Sequence, residues 1–438
     1  MNAGRADLFP EASSEEPTVP RPLAIGDELS AAGDHVGRLQ SGAARSGAAR
    51  AGAAPLGADR GADERRAADH ATAERRIPND LVSPYHSIVD RRRLDSTVHF
   101  PLLKLLGSGG QGSVYLTELR GSDQFTVPIA LKIFSPAGFE SADAYAADME
   151  RVARVAGRIA QVQHNHLLYI HNFLDRHRIR IMLMEWVDGF DLNQLLAPRM
   201  LQQLQATVSE KRWEYIRRVI VTDGPERPRL KPGIAMAIVR DCLTALAAVH
   251  REGVVHGDMK PANIMLKRTG HTKLIDFGSA FLIDQPNENR MCTPSYAAPE
   301  VLAGEPITPL SDLASLGYVL IELLSGRRLF QGLTQYRPLL EAKRTLPQRL
   351  PQILPSEVTV NELLMKFCRR LIAADPAHRF PSAEAAELRK DGAAAFHRQL
   401  VLGDLASEYH NEIRLWLGEL KELPDPVTEN IHGATRTF

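Results

Sequence analysis

The stretch whose reading decides the fold runs from 254 to 280: VVHGDMKPANIMLKRTGHTKLIDFGSA. In it Asp258 precedes Asn263, and Asp276 heads an Asp-Phe-Gly after the short apolar strand LIDF. Asn263 and Asp276 offer hard oxygens of the kind Mg2+ takes, a few at a time, alongside phosphate oxygens. Asp258 then suits the task of orienting an attacking hydroxyl and accepting its proton, because phosphoryl transfer asks the protein mainly for positioning and charge stabilisation. Any one of these residues alone reads as part of a turn; the three in this order carry a chemical signal. The awkward residue is Gly257, in the His-Gly-Asp at 256–258.

Working outward toward the N-terminus, alternating apolar residues from about His99 (VHFPLLKLL), a glycine cluster, a second alternating run (SVYLTEL) and VPIALKIF predict a strand, turn and strand series. Helical periodicity follows through the 140s to 160s, strands are expected near LLYIHNFL and IRIMLMEWV, and helices dominate thereafter. Strands first and helices later predict an α+β small lobe followed by a mostly helical large lobe. In GSGGQGSV at 107–114, Gly107, Gly109 and Gly112 flank the predicted turn, where backbone amides approach phosphate oxygens with no Cβ in the way. The same glycine spacing in a dinucleotide fold must open a helix; here it opens a strand. Lys132, in IALK on the next strand, falls behind that turn and is placed to pair with phosphate charge.

These residues resemble the eukaryotic-type Ser/Thr protein kinase superfamily, over roughly 98–390. The resemblance implies a two-lobed protein-kinase-like fold, with a small lobe at 98–183 and a large lobe at 184–390. It implies ATP and Mg2+ as cofactors and a protein substrate. Asp258 becomes the catalytic base, Lys260 the charge that neutralises the transferring group, Lys132 the ATP-phosphate lysine, and Asp276 and Asn263 the first and second metal ligands. Nucleotide binding is expected from Gly107, Ser108, Gly109, Gly110, Gln111, Gly112, Val114, Ala130 and Lys132. It is also expected from the hinge residues Met184, Glu185 and Val187 of MEWV, and from Asp191 at the ribose. Ala298, Pro299 and Glu300 match the family's Ala-Pro-Glu, Thr293 its substrate-floor threonine, Asp312 its buried helix aspartate, and Arg379 the partner of Glu300.

Two departures define the alternatives. His-Gly-Asp also occurs in aminoglycoside and choline phosphotransferases, which act on small molecules; those families generally lack Ala-Pro-Glu with its threonine and have another His where Lys260 stands. A pseudokinase scaffold is the third reading, supported only by Gly257 and by the uncertain helix acid. That acid, expected to pair with Lys132, is Asp148 by helical phase against the stripe Val152, Val155, Ile159 and Val162, or Glu150 by residue type. Gly257 also removes the arginine that binds an activation-loop phosphate in many kinases, and FLIDQPNENRMC at 281–292 holds no Ser, Thr or Tyr. Activity independent of phosphorylation there is expected.

Composition sets the remaining bounds. Lys+Arg and Asp+Glu both total 53, so no global field recruits nucleic acid or an anionic membrane. Cys242, Cys292 and Cys368 form no CxxC pair and fit a reducing cytoplasm. The N-terminus lacks an apolar leader core, and no run is expected to reach the ~18 apolar residues of a membrane span. Residues 1–95 are rich in Ala, Gly and Arg, lack aromatics between Phe9 and Tyr85, and are expected to be a disordered tail. Arg in place of Lys before Lys104, with abundant Ala, points to a GC-rich bacterial gene. An insertion at 197–232 reads as an extra surface helix and hairpin. The extension 391–438 carries an amphipathic stripe of Leu402, Leu405, Tyr409, Ile413, Trp416 and Leu420, expected to pack on the large lobe. His164, His166, His171 and His177 read as surface or structural histidines, with no zinc assigned. Nothing in the sequence names the oligomeric state.

Overall fold

The computed structural model describes residues 100–285, 292–402 and 408–420; the expected N-terminal tail lies outside the described residues. Strands β1 (Lys104–Gly109), β2 (Gly112–Arg120) and β3 (Thr126–Phe134) precede helix α1 (Ala142–Ala160), then β4 (Ile170–Arg176) and β5 (Ile179–Glu185). The five strands form one antiparallel sheet in the order β1-β2-β3-β5-β4. Gly109 pairs with Gly112 across the tip formed by Gly110 and Gln111. Glycine is required at 112, where φ is +135° and a Cβ would lie 2.0 Å from the Ile133 carbonyl oxygen. Val114 lies opposite Lys132, and Ala130 opposite Met184. Because side chains alternate with period two, these four share one face of the sheet. Helix α1 starts at Ser141, whose Oγ accepts the Ala144 N–H at 3.1 Å, and buries Met149, Val152, Val155, Ala156 and Ile159.

The chain leaves β5 through Trp186–Asp188 and continues as β6 (Gly189–Asp191), α2 (Leu192–Leu195), α3 (Pro198–Thr207), α4 (Glu210–Val219), β7 (Val221–Thr222) and β8 (Arg229–Leu230). Helix α5 (Pro232–Arg251) leads to β9 (Val254–Val255), a 3-10 turn at Pro261–Asn263, then β10 (Ile264–Lys267), β11 (Thr272–Leu274) and β12 (Phe281–Leu282). The remainder is helical: α6 (Pro299–Leu302), α7 (Pro309–Ser325), α8 (Tyr336–Ile353), α9 (Ser356–Thr359), α10 (Glu362–Leu371), α11 (Ala383–Leu388), α12 (Ala393–Leu402) and α13 (Tyr409–Leu420). Helices α5 and α7 pass through the middle of this lobe, with nearly every apolar side chain of both buried. One sequence expectation needs correction here: α5 is long and apolar enough to cross a membrane by length and composition. With 78% of its apolar window buried inside the protein, it serves instead as the core helix of the large lobe.

The insertion is more than a surface decoration. It forms two helices and a short hairpin, and buries Met200, Leu204, Ile216, Ile220, Val221 and Leu230. Its turn is anchored by the buried pair of Arg227 with Glu322 at 2.5 Å and by the Glu226 and Arg227 N–H groups donating to the Gly326 carbonyl. Helix α13 lies against it: Arg212 pairs with Glu419 at 2.6 Å, and the Tyr215 hydroxyl donates to Glu412 at 2.8 Å. Tyr409, Ile413, Trp416, Leu417 and Leu420 of α13 are buried. Of the expected stripe, Leu402 ends α12 and Leu405 lies outside the described residues.

Candidate active site

The loop after β9 is pinned from below by Asp312, in the first turn of α7. Its carboxylate accepts the N–H groups of His256 and Gly257, each at 2.9 Å, and faces His250 Nε2 at 2.9 Å. Burial pushes this carboxyl up, but the bond to His250 and the charge of the two histidines outweigh it and hold the group below its usual range. Gly257 sits in the left-handed region at φ +75°, where an added Cβ would lie 3.2 Å from the Ser279 carbonyl oxygen. The residue is therefore explained by its backbone as well as by the missing arginine. Gly257→Ala is expected to cost about 1–2 kcal/mol of stability, read as a lower denaturation midpoint at unchanged m-value.

This pinned loop presents Asp258. Its Oδ1 accepts from the Thr293 N–H at 3.1 Å and hydroxyl at 2.7 Å, and its Oδ2 accepts from Lys260 at 2.5 Å. Lys260 also donates to the Thr293 hydroxyl at 3.1 Å. Asn263 Nδ2 donates to the Asp258 carbonyl at 2.8 Å, leaving its Oδ1 with no hydrogen bond from the described residues. The opposite wall is Asp276, at φ +60°, a strained conformation for a non-glycine residue. Its Oδ1 takes Lys132 Nζ at 2.6 Å and the Gly278 N–H at 3.2 Å, while Oδ2 accepts no bond from the described residues. Burial raises this carboxyl, and the Lys132 ammonium outweighs that and holds it below its ordinary value. The Asp276 side chain is 37% exposed, whereas Asn263 is buried at 4%. Two hard oxygens, Asp276 Oδ2 and Asn263 Oδ1, fit Mg2+.

The expected ion pair between Lys132 and helix α1 is absent. Lys132 is engaged by Asp276 and by Gln111 Oε1 at 2.9 Å. Asp148, favoured by phase, is half-buried and Glu150 is exposed. Asp148 Oδ1, however, is taken by Arg151 Nε at 2.8 Å, one turn along the same helix. Arg151 then donates through its other nitrogens to the carbonyls of Gly278, at 2.8 Å, and Ala280. Asp148 thus acts through Arg151 on the backbone after Asp276. We expect Glu150→Lys to change turnover and ATP KM less than twofold, and Asp148→Lys to lower turnover by about tenfold or more through misplacement of that segment. Equal effects in steady-state kinetics would overturn this assignment.

Other contacts were not legible in the sequence. Gln111 reaches from the hairpin tip to Lys132 and, at 3.3 Å, to the Ser279 hydroxyl. Asp191, expected at the ribose, caps α2, its Oδ1 accepting the N–H groups of Asn193 and Gln194 at 2.8 and 3.0 Å. The Glu185 carboxylate accepts from Lys273 and from the Tyr169 N–H. Lys343 of α8 is fully buried, donates to the Ser295 carbonyl at 2.7 Å, and lies about 4 Å from the ring centres of Tyr318 and Phe330. Burial pushes its pKa well below the usual lysine value. It supports the segment that carries Thr293, and no sequence pattern marked it.

The site thus combines a glycine hairpin and a lysine with a network of Asp258, Lys260 and Thr293. The protein kinase domain model matches residues 100–389, and the chain belongs to that family. It is 32% identical over 289 residues to the serine/threonine-protein kinase PknD of Mycobacterium tuberculosis, covering 65% of this chain and 38% of that relative. It is 28% identical over 295 residues to the kinase PrkC of Bacillus subtilis, covering 66% and 39% of the two chains. Against pkn2 of Myxococcus xanthus the identity is 28% over 330 residues, covering 73% and 34%. The chain therefore spans well under half the length of these relatives.

Proposed function

We propose that this chain is an ATP-dependent Ser/Thr protein kinase that transfers the γ-phosphoryl group to protein hydroxyls with Mg2+. The observation that carries the reading is the Asp258–Lys260–Thr293 network, which joins the proposed base to the segment leading into Ala298, Pro299 and Glu300. A peptide laid on that segment brings its hydroxyl to Asp258, which orients it and takes its proton. Lys260 offsets negative charge on the group in transit, and Lys132 pairs with the nucleotide phosphates once Gln111 gives way. Asn263 and Asp276 hold the metal, whose part is to neutralise phosphate charge. Val114, Ala130 and Met184 line the sheet face above the nucleotide.

The loop at 281–292 carries no hydroxyl to phosphorylate, and Gly257 no guanidinium to bind a phosphate; activity on this reading needs no modification there. A cytoplasmic setting is consistent with three free cysteines, two of them fully buried. The test is incubation with labelled ATP and Mg2+, offering a generic basic protein beside a panel of small hydroxyl compounds. Label on protein Ser or Thr is the expected result; label only on small molecules would establish the rival phosphotransferase reading.

A further inference from the structure

We propose that His166, Asp241, His271 and His410 form a binding site for a zinc-class dication that fastens α13 to the kinase fold. The four residues come from four separate parts of the chain: the segment between α1 and β4, the middle of α5, the β10–β11 turn, and the first turn of α13. Ligand atoms of His166, Asp241 and His271 all lie within 4.8 Å of one another. His410 Nε2 stands 3.1 Å from both oxygens of Asp241, and its ring centre is 4.7 Å from that of His271. Two ligands each about 2.0–2.1 Å from a tetrahedral zinc ion are about 3.3 Å apart. The His410–Asp241 pair already has that spacing, and the wider remainder closes by ring rotation, for which His271 is exposed and His410 half-exposed.

Asp241 is the fixed member. It is 6% exposed and oriented by the Thr272 N–H at 3.0 Å. His166 Nδ1 is the ring nitrogen that faces the cluster, 3.4 Å from an Asp241 oxygen and 2.9 Å from the Thr272 carbonyl; to bind the ion it would turn from that carbonyl and carry the ring proton on Nε2. One hydrogen-bonded carboxylate needs no more than one imidazole partner, and three imidazoles crowded together repel if charged. A shared dication uses all three.

The approach of α13 is also built in. Gly270 has φ +90°, and a Cβ there would meet the His410 carbonyl oxygen at 2.0 Å; a Cβ on Gly233 would meet the Tyr409 ring at 2.2 Å. Both glycines let the first turn of α13 settle against α5 and the β10–β11 turn. Strand β11 ends two residues before Asp276, so the ion would brace the base of the segment that carries this candidate metal ligand. Of the four histidines that drew notice in the sequence, only His166 supplies a ligand here; His164 accepts the His166 N–H at 3.2 Å.

The test uses the full, tag-free chain, stripped with a chelator and titrated with zinc by competition against a chromophoric chelator. One equivalent is expected to bind, with affinity reduced about 100-fold or more in His271→Ala and in Asp241→Asn and unchanged in the exposed, remote His378→Ala. Zinc at 100 times its Kd is expected to raise Tm by about 5 °C in the unaltered chain and not in His271→Ala. In His410→Ala, zinc should no longer slow amide exchange in α13. His271 is exposed on a turn, so its replacement spares the fold. Zinc binding that persists undiminished in His271→Ala, or no binding by the unaltered chain, would overturn the proposal.

Discussion

Asp258→Asn is expected to lower phosphotransfer by about 10²–10⁴-fold, the range of a lost general base, while ATP affinity and Tm stay near those of the unaltered chain. The amide preserves the side chain's volume and one acceptor for the two Thr293 donors. It withdraws the negative oxygen that faces Lys260 at 2.5 Å and sets an N–H against that ammonium. The backbone is pinned independently through Asp312, so the loop keeps its course. Initial rates with labelled ATP, beside calorimetric ATP binding, separate chemistry from binding. Residual activity above about a tenth of the original would remove Asp258 from the role.

Glu300→Ala is expected to destabilise the large lobe by about 3–5 kcal/mol, the cost of leaving a buried charge without its partner. Arg379, with its side chain wholly buried, reaches Glu300 through two parallel bonds of 2.6 and 2.7 Å. The same glutamate accepts the Ser311 hydroxyl at 2.9 Å, and Arg379 donates onward to the carbonyls of Leu310 and Ala373. Removing the carboxylate strands the guanidinium in a dry site and frees the segment that supports Thr293. Urea denaturation provides the measurement; a loss below about 1 kcal/mol would mean that water reaches Arg379 and solvates it.

Residues 254–280 carried the fold because their chemistry is local: Asp258, Asn263 and Asp276 fall at spacings that a hairpin brings together. The glycine tip and Lys132 were readable for the same reason, since strand period and turn chemistry suffice to place them. Helical phase separated half-buried Asp148 from exposed Glu150, but it could not reveal that Arg151 would capture the carboxylate. That capture depends on where the Gly278 and Ala280 carbonyls lie, which is set by the docking of two lobes rather than by α1. Likewise His271 and His410 carry no motif spacing with His166; α5 and α13 must pack before they meet. Helix α5 illustrates the converse, since an apolar helix at the centre of a large lobe satisfies the same length and composition test as a membrane span.

The most direct test of the account is the initial rate of the phosphatase-treated chain with labelled ATP, Mg2+ and a protein substrate, followed by identification of the labelled amino acid. The account predicts label on Ser or Thr at a rate unchanged by the treatment, because the loop at 281–292 carries no Ser, Thr or Tyr to phosphorylate and Gly257 no guanidinium to hold a phosphate. Activity abolished by phosphatase, with a phosphosite mapped to that loop, would contradict it.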